Sequence, residues 1–126
     1  MKDKGGSQVM PHRVLVAKEL ADLVGALAHP QRIRIIDELR GAERDVNSLQ
    51  EALEISHSGV SQHLMVLRSH RLVSERRDGR HVYYQLRQPE LASWLMEATR
   101  FLEEETTAAR ELQKAIKKTR DGWSKD

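Results

Sequence analysis

Side chains that can hydrogen-bond to nucleic-acid bases are concentrated in one short segment, between Ser56 and Arg68. Val60, Leu64 and Leu67 recur there at the spacing of one buried helical stripe, and polar residues lie on the other face of the helix. Side chains near the amino end of an exposed helix can approach base edges in the major groove. The residues predicted to contact DNA from this helix are Ser56, His57, Ser58, Ser61, Gln62, His63 and Arg68.

The expected roles differ within this set. Ser61 and Gln62 are the predicted base readers, because a glutamine can bond both N6 and N7 of adenine. His57 and His63 can donate to bases or to phosphates. The unpaired N–H groups at the amino end of the helix favour a phosphate at Ser56.

The residues that follow have the pattern of a β-hairpin, which we call the wing (residues 72–86). Asp78-Gly79 separates two strand-like runs, and Asp-Gly is a strong signal for a two-residue type I′ turn. That turn would place Arg77 opposite Arg80, where the two charges repel unless an anion lies between them. A DNA phosphate or minor groove would supply the anion. The cationic tip predicted to meet it consists of Arg76, Arg77, Arg80 and His81.

Helical patterns precede this segment. The first runs from Arg13 to Ala28. The second begins at Pro30, a residue well tolerated at the first helical position, and ends at Gly41. Their apolar positions are Val16, Leu20, Leu23 and Leu27 in the first helix and Ile33, Ile36 and Leu39 in the second.

A third helix is predicted from Asp45, whose side chain is a suitable N-cap. Asn47, followed three residues later by Gln50, is an alternative capping-box start. The third helix is followed closely by Ser56, itself a good N-cap, so the two helices form a predicted helix-turn-helix. The basic wing after it completes a winged helix-turn-helix, mainly α with a small β-hairpin.

The segment after Pro89 has a heptad seam that predicts one long dimerisation helix, from Pro89 to about Arg120. Such a helix is longer than a small DNA-binding domain can cover, so it requires a partner surface. The alternative is a helix that folds back on its own domain. The seam consists of Leu91, Leu95, Ala98, Leu102, Glu105, Ala109, Leu112 and Ile116.

Composition is typical of one globular domain of 126 residues, with 39% hydrophobic and 32% charged residues. The net charge of +2 is too small to indicate the kind of binding partner, so only the distribution of charge along the chain is informative about it. Positive charge is concentrated between residues 68 and 80. The first residues lack the apolar core of a signal peptide, and no stretch predicts a membrane span, so we expect a cytoplasmic protein without a membrane partner.

Metal and catalytic chemistry are not indicated. The chain has no cysteine, and His57 and His63 point to different sides of their helix, so neither thiolates nor this histidine pair can chelate an ion. No phosphate-binding glycine loop, nucleophile elbow or His-Glu-x-x-His motif is present. We expect neither an enzyme nor a cofactor.

Three motifs carry a family resemblance: Leu-Ala-His-Pro-Gln-Arg-Ile-Arg-Ile-Ile at 27–36, Val-Ser-Gln-His-Leu at 60–64 with Leu67-Arg68, and Asp-Gly-Arg-His-Val-Tyr-Tyr at 78–84. Together they resemble the ArsR/SmtB family of bacterial winged-helix repressors, over roughly residues 20–95. The resemblance implies a homodimer and repression of a promoter that an effector relieves. It adds Gln31, Arg32 and Tyr83 to the expected DNA contacts.

The resemblance also implies that the first and last helices form the dimer interface. The expected interface residues are Leu15, Leu20, Leu23, Leu91, Leu95, Ala98, Leu102 and Leu112.

The chain departs from the family at positions that concern effectors. Asp45 and Asn47 stand where metal-sensing members often carry Cys-x-Cys, and no histidine follows His81. The sequence therefore leaves a small-molecule or ion effector unidentified. Arg71 stands at a helix end where the family usually has glycine, which implies a strained or differently shaped turn.

We expect a flexible tail over residues 1–12, one winged-helix domain over 13–120 and a second tail over 121–126. The expected partners are an operator in double-stranded DNA and a second copy of the chain. The alternative is a winged-helix protein-interaction module whose acidic last helix binds another protein.

Overall fold

The computed structural model describes residues 11–103 and 107–125. Over these ranges it is mainly helical with a small antiparallel sheet, which confirms the predicted fold class. No helix within them is both long and apolar enough to cross a membrane. In chain order the elements are α1 His12–Leu27, α2 Pro30–Glu38, β1 Arg44–Asp45, α3 Val46–Leu53, α4 His57–Ser69, β2 Val73–Asp78, β3 His81–Leu86, α5 Glu90–Ala98, a 3-10 helix Thr99–Leu102, and α6 Thr107–Lys125.

The core lies where α2, α3 and α4 pack against one another, with α5 against α2 and β2 against α4. The predicted stripe of α4 is fully buried there. Ile33 differs from its prediction, because it is 42% exposed while Ile35 takes the inward position beside Ile36. The largest fully buried side chains are Ile35, Ile36, Leu49, Val60, Leu64, Leu67 and Val73.

Side-chain caps define where the central helices begin. The Nδ1 atom of His29 accepts a hydrogen bond from the backbone N–H of Gln31 at the start of α2. Asp45 caps α3 by accepting from the N–H of Ser48 at 2.8 Å, so the Asp45 start is correct and the alternative start at Asn47 is not. The predicted N-cap Ser56 also accepts a backbone hydrogen bond within α4.

The sheet has the strand order β1-β3-β2, with both pairs antiparallel. The wing pairs Asp78 with His81, so its two-residue loop is Gly79-Arg80 and the predicted Asp78-Gly79 loop is wrong by one residue. Arg77 consequently lies opposite Val82 rather than Arg80. Gly79 has φ +62°, and a glycine at the first loop position is typical of a type II′ turn rather than type I′.

The predicted single helix after Pro89 is wrong. The regular α-helix ends at Ala98, a 3-10 helix continues to Leu102, and α6 is a separate helix. Glu105 of the seam lies outside the described residues. Ala109 and Ile116 of α6 are buried within the single chain, which agrees with the alternative of a helix folded back on its own domain.

Trp123 attaches the end of α6 to α2. Its indole N–H donates to Asp37 at 3.0 Å, and the guanidinium of Arg40 lies 5.1 Å from its ring centre. The side chain also packs against the core. Residues 121–125 therefore belong to the folded unit and not to a C-terminal tail, because α6 continues through Lys125. At the other terminus, α1 begins at His12, and residues 1–10 of the predicted tail lie outside the described ranges.

Candidate nucleic-acid interface

One side of α4 faces away from the protein. Because Val60, Leu64 and Leu67 fix the opposite side in the core, rotation of the helix is determined and Gln62 points outward. Ser58 is exposed one turn before Gln62, and Ser61 is half-buried beside it. The predicted base readers Ser61 and Gln62 therefore lie on the part of α4 that a DNA groove could reach.

The amino end of α4 is closely packed around Ser56. The Ser56 Oγ atom accepts from the N–H of Gly59 at 3.0 Å and lies 3.2 Å from the Oγ of Ser58. A Cβ atom on Gly59 would come within 3.1 Å of that Ser56 oxygen. Gly59 thus permits the close approach of the cap, at a cost of about 1 kcal/mol in helix propensity relative to alanine.

A groove of about 310 Å³ separates α4 from the wing. Ser61 lines it from the α4 side, while Arg77 lines it from β2 and Arg80 from the turn. Neither arginine has a carboxylate within ion-pair distance among the residues described. His57 and His81 also line the groove, so cationic and hydrogen-bonding groups converge on one exposed cleft.

Two of the other predicted DNA-contacting arginines already have carboxylate partners. Arg68 forms an ion pair with Glu75 at 3.0 Å, and Glu75 in turn accepts a hydrogen bond from the hydroxyl of Tyr84. Partial burial, and then this hydrogen bond, raise the pKa of Tyr84 above its ordinary value. These contacts connect α4 to the base of the wing.

Arg76 has a second kind of contact, with the loop before β1. Its Nε atom donates to Glu43 at 3.3 Å, its Nη2 atom donates to the other oxygen of the same carboxylate, and its guanidinium lies over the ring of Tyr83 at 4.6 Å. The hydrogen bond lowers the pKa of Glu43 and raises the pKa of Arg76, so both groups are charged at neutral pH. Sequence reasoning missed Glu43, because nothing local relates it to a strand 33 residues later.

The predicted contacts Gln31 and Arg32 lie in the first turn of α2, and His63 lies on the side of α4 that faces this turn. The rings of His63 and His29 are 4.3 Å apart between centroids. Burial lowers the pKa of His63, and the nearby His29 and Arg32 lower it further, so its imidazole is neutral at pH 7. The Oε1 atom of Gln31 and the Nε atom of Arg32 are buried without a hydrogen-bond partner in the described part of the chain.

His81 lies at the rim of the groove, and its Nδ1 atom is 3.8 Å from a carboxylate oxygen of Asp45. Its ring centre is 6.0 Å from that of Tyr83. Within residues 11–103 and 107–125, no three histidine, aspartate or glutamate side chains are arranged to hold a metal ion.

The predicted dimer residues fall into two groups. Leu15 and Leu20 are exposed on α1, and Leu23, Leu91 and Leu95 pack partly against the core of their own chain. Leu20, Leu23 and Leu91 line an apolar groove of about 490 Å³ between α1 and α5, together with Trp94. The remaining members, on α5, the 3-10 helix and α6, no longer form one seam. They are the half-buried Ala98 and the exposed Leu102 and Leu112.

One side chain on the outward face of α4 was not predicted. Met65 lies three residues after Gln62 and is 69% exposed. Its exposure could have been predicted from its position in the sequence, because Met65 falls outside the buried stripe formed by Val60, Leu64 and Leu67.

Known proteins resemble this chain in both sequence and fold. A family profile described as bacterial regulatory protein, arsR family, matches residues 29–75. A transcriptional repressor SmtB homolog from Synechocystis is 46% identical over 70 residues, which cover 56% of this chain and 53% of that protein. The transcriptional repressor SmtB of Mycobacterium tuberculosis is 39% identical over 88 residues, which cover 70% of this chain and 64% of that protein.

Among solved structures, NolR from Sinorhizobium fredii matches with a TM-score of 0.65 and 31% identity. The match covers 80% of this chain and 96% of NolR, so it includes the helix-turn-helix and the wing together. The two SmtB relatives are transcriptional repressors by name, and neither is named as an enzyme. Sequence and fold thus agree that this chain belongs to the arsR family of bacterial regulatory proteins.

Proposed function

We propose that the protein is a homodimeric transcriptional repressor that binds a specific DNA sequence. In this proposal α4 enters the major groove, where Gln62 and Ser61 contact base edges, and the wing lies over the adjacent backbone or minor groove. The observation that carries the proposal is the groove between α4 and the wing, where Arg77 and Arg80 have no carboxylate partner among the described residues and lie beside the exposed polar side of α4.

The roles of the other basic residues follow from their contacts. Arg77, Arg80 and His57 are the phosphate contacts that the geometry favours, because they line an open groove. Arg68 and Arg76 are assigned to positioning the wing, since each is paired with a carboxylate of the same chain. His63 is assigned to the contact between α2 and α4, since it is neutral and half-buried.

Repression and dimerisation are proposed from the relatives and from the surface together. The SmtB relatives are named repressors, but the aligned residues cover only 53% and 64% of their lengths. The exposed apolar groove between α1 and α5 provides a surface for a second copy. Two copies would read an inverted repeat whose half-site centres lie about 10 to 10.5 base pairs apart, or a multiple of that.

The test is selection of binding duplexes from a random library with the full chain, followed by footprinting of the best sequence and of the DNA upstream of the gene. We expect an inverted repeat to be enriched. Gln62→Ala should then cost about 1 to 3 kcal/mol on the selected duplex and little on random DNA. Gln113→Ala is the matched control, because Gln113 is an exposed glutamine of α6, which does not line the groove.

The result decides between a DNA reader and a protein-interaction module. Equal losses on selected and random duplexes for Gln62→Ala would remove its role as a base reader. Failure to enrich any duplex at low salt would contradict the proposed function as a whole.

A further inference from the structure

Met65 is an apolar side chain on a surface whose other outward groups are polar. It is the only large hydrophobic residue of α4 that is exposed, and the described exposed hydrophobics lie otherwise on α1, α2, α5, the 3-10 helix and α6. Its exposed neighbours on the same side of the helix are Ser58, Gln62 and Ser69.

Packing among residues 11–103 and 107–125 does not account for Met65. The inward stripe of α4 is on the opposite side of the helix, and Met65 lines neither the groove beside the wing nor the apolar groove between α1 and α5. A single exposed hydrophobic residue is common on protein surfaces and by itself indicates nothing. Met65, however, lies beside the proposed base reader Gln62, so in the proposed complex it would face the major groove of DNA.

The major groove offers one apolar group, the C5-methyl group of thymine. Methionine is suited to contact a methyl group, because its side chain is unbranched, flexible and polarisable. Three residues along a helix span about 4.5 Å, whereas adjacent base pairs are about 3.4 Å apart. Met65 therefore reaches roughly one base pair beyond the one that faces Gln62.

On the basis of the proposed function, we propose that Met65 is a specificity-determining residue that reads a thymine through its C5-methyl group, adjacent to the base pair contacted by Gln62. Each half-site then contains a thymine whose methyl group is covered by the Met65 side chain. No hydrogen bond is required, and the preference comes from removing two apolar groups from water.

The test replaces each thymine of the selected duplex in turn by deoxyuridine, which keeps every hydrogen-bonding group and removes only the methyl group. For the unmodified protein, we expect one position per half-site at which the replacement weakens binding about fourfold, the value for one buried methyl-sized group. Met65→Ala should bind the thymine and deoxyuridine duplexes equally. Met65→Leu should retain part of the preference.

Gln62→Ala is the matched control, because it should weaken binding to the selected duplex while keeping the methyl dependence at the Met65 position. The inference is overturned if the unmodified protein and Met65→Ala give the same deoxyuridine profile, or if no thymine methyl affects binding to a tightly bound duplex. In that case the proposed function stands. If no duplex is bound at all, the proposed function fails and this inference fails with it.

Discussion

Arg76 and Arg77 are adjacent in β2, yet their side chains lie on opposite faces of the wing because side chains alternate along a strand. Arg77 lines the groove beside α4, whereas Arg76 donates two hydrogen bonds to Glu43 and covers Tyr83. A guanidinium bound to a carboxylate of its own chain has already been neutralised, so it adds little attraction for a phosphate. The two neighbours should therefore differ in their contribution to DNA binding.

Arg77→Ala should weaken binding to the selected duplex and to random DNA alike. Each phosphate contact releases about one condensed counterion, so the slope of log K against log salt should fall by roughly one for each subunit. The measurement is a salt titration of DNA affinity between low and moderate ionic strength.

Arg76→Ala is the comparison variant. Its slope should change less than that of Arg77→Ala, because a guanidinium bound to Glu43 contacts no phosphate and therefore releases no counterion from DNA. The assignment would be reversed if Arg76→Ala reduced the slope and Arg77→Ala did not.

For individual residues, the sequence predicts the direction in which a side chain faces better than it predicts which other residue that side chain contacts. The period of the apolar residues in α4 correctly predicts that Gln62 faces outward, and the residue types correctly predict the caps at Asp45 and Ser56. Which arginines remain available to a phosphate depends on contacts such as Arg76 with Glu43, which tertiary structure brings together. The same limit applies to His63, whose polar ring packs against His29.

The end of α4 shows a backbone conformation that its residue does not favour. Arg71 has φ +60°, its N–H donates to the carbonyl of Arg68, and the N–H of Leu72 donates to the carbonyl of Leu67. These two bonds form a Schellman motif, in which the residue with positive φ is usually glycine. For a residue other than glycine, this left-handed backbone conformation costs about 1 to 2 kcal/mol of conformational free energy.

Arg71→Gly should therefore raise the free energy of unfolding by up to about 1 kcal/mol, since glycine relieves this strain but loses more chain entropy on folding. Thermal or urea unfolding of the two proteins measures the difference. The control is Ser69→Gly, two residues earlier at the last helical position of α4, where glycine relieves no strain and should be destabilising. A loss of stability in Arg71→Gly would mean that the arginine side chain contributes more than the strain costs.

Element boundaries were predictable where a residue type specifies them and not where only a pattern does. Pro30 and the capping residues gave correct helix starts. The predicted continuous helix after Pro89 is wrong because a heptad pattern requires only an apolar face, and two separate helices can supply that face. Ala109 and Ile116 are accordingly buried by their own domain. The turn of the wing was misplaced by one residue because Asp78-Gly79 and Gly79-Arg80 can both form two-residue loops, and strand pairing selects the second.

At the scale of the whole molecule, an apolar surface on α1 and α5 is left uncovered by the described residues. Val16, Leu20 and Val24 lie on one side of α1 and are each more than half exposed, and Trp94 is half exposed on α5. They adjoin the groove between α1 and α5, which is far more apolar than the groove beside the wing. A contiguous apolar surface of this kind is typical of an interface. α6 packs against α2 and the 3-10 helix, so the described parts of the chain do not cover this surface.

A second copy of the chain is the occupant that we expect there, and Leu20→Glu should prevent its association. The charge would be buried against apolar side chains in the dimer, whereas in the isolated chain Leu20 is 53% exposed and the substitution should leave the fold intact. Sedimentation equilibrium at micromolar concentration should show a dimer for the unmodified protein and a monomer for the variant, with equal helix content by circular dichroism.

The matched control is Val14→Glu, which places the same charge on the same helix at a site of equal exposure but away from the Leu20 side. It should remain dimeric. Because one helix reads only one half-site, the monomeric variant should also lose affinity for an inverted repeat while binding random DNA with little change per subunit. If Leu20→Glu stays dimeric, the two copies associate through another surface, and the α6 face that carries Leu112 becomes the next to examine by the same substitution.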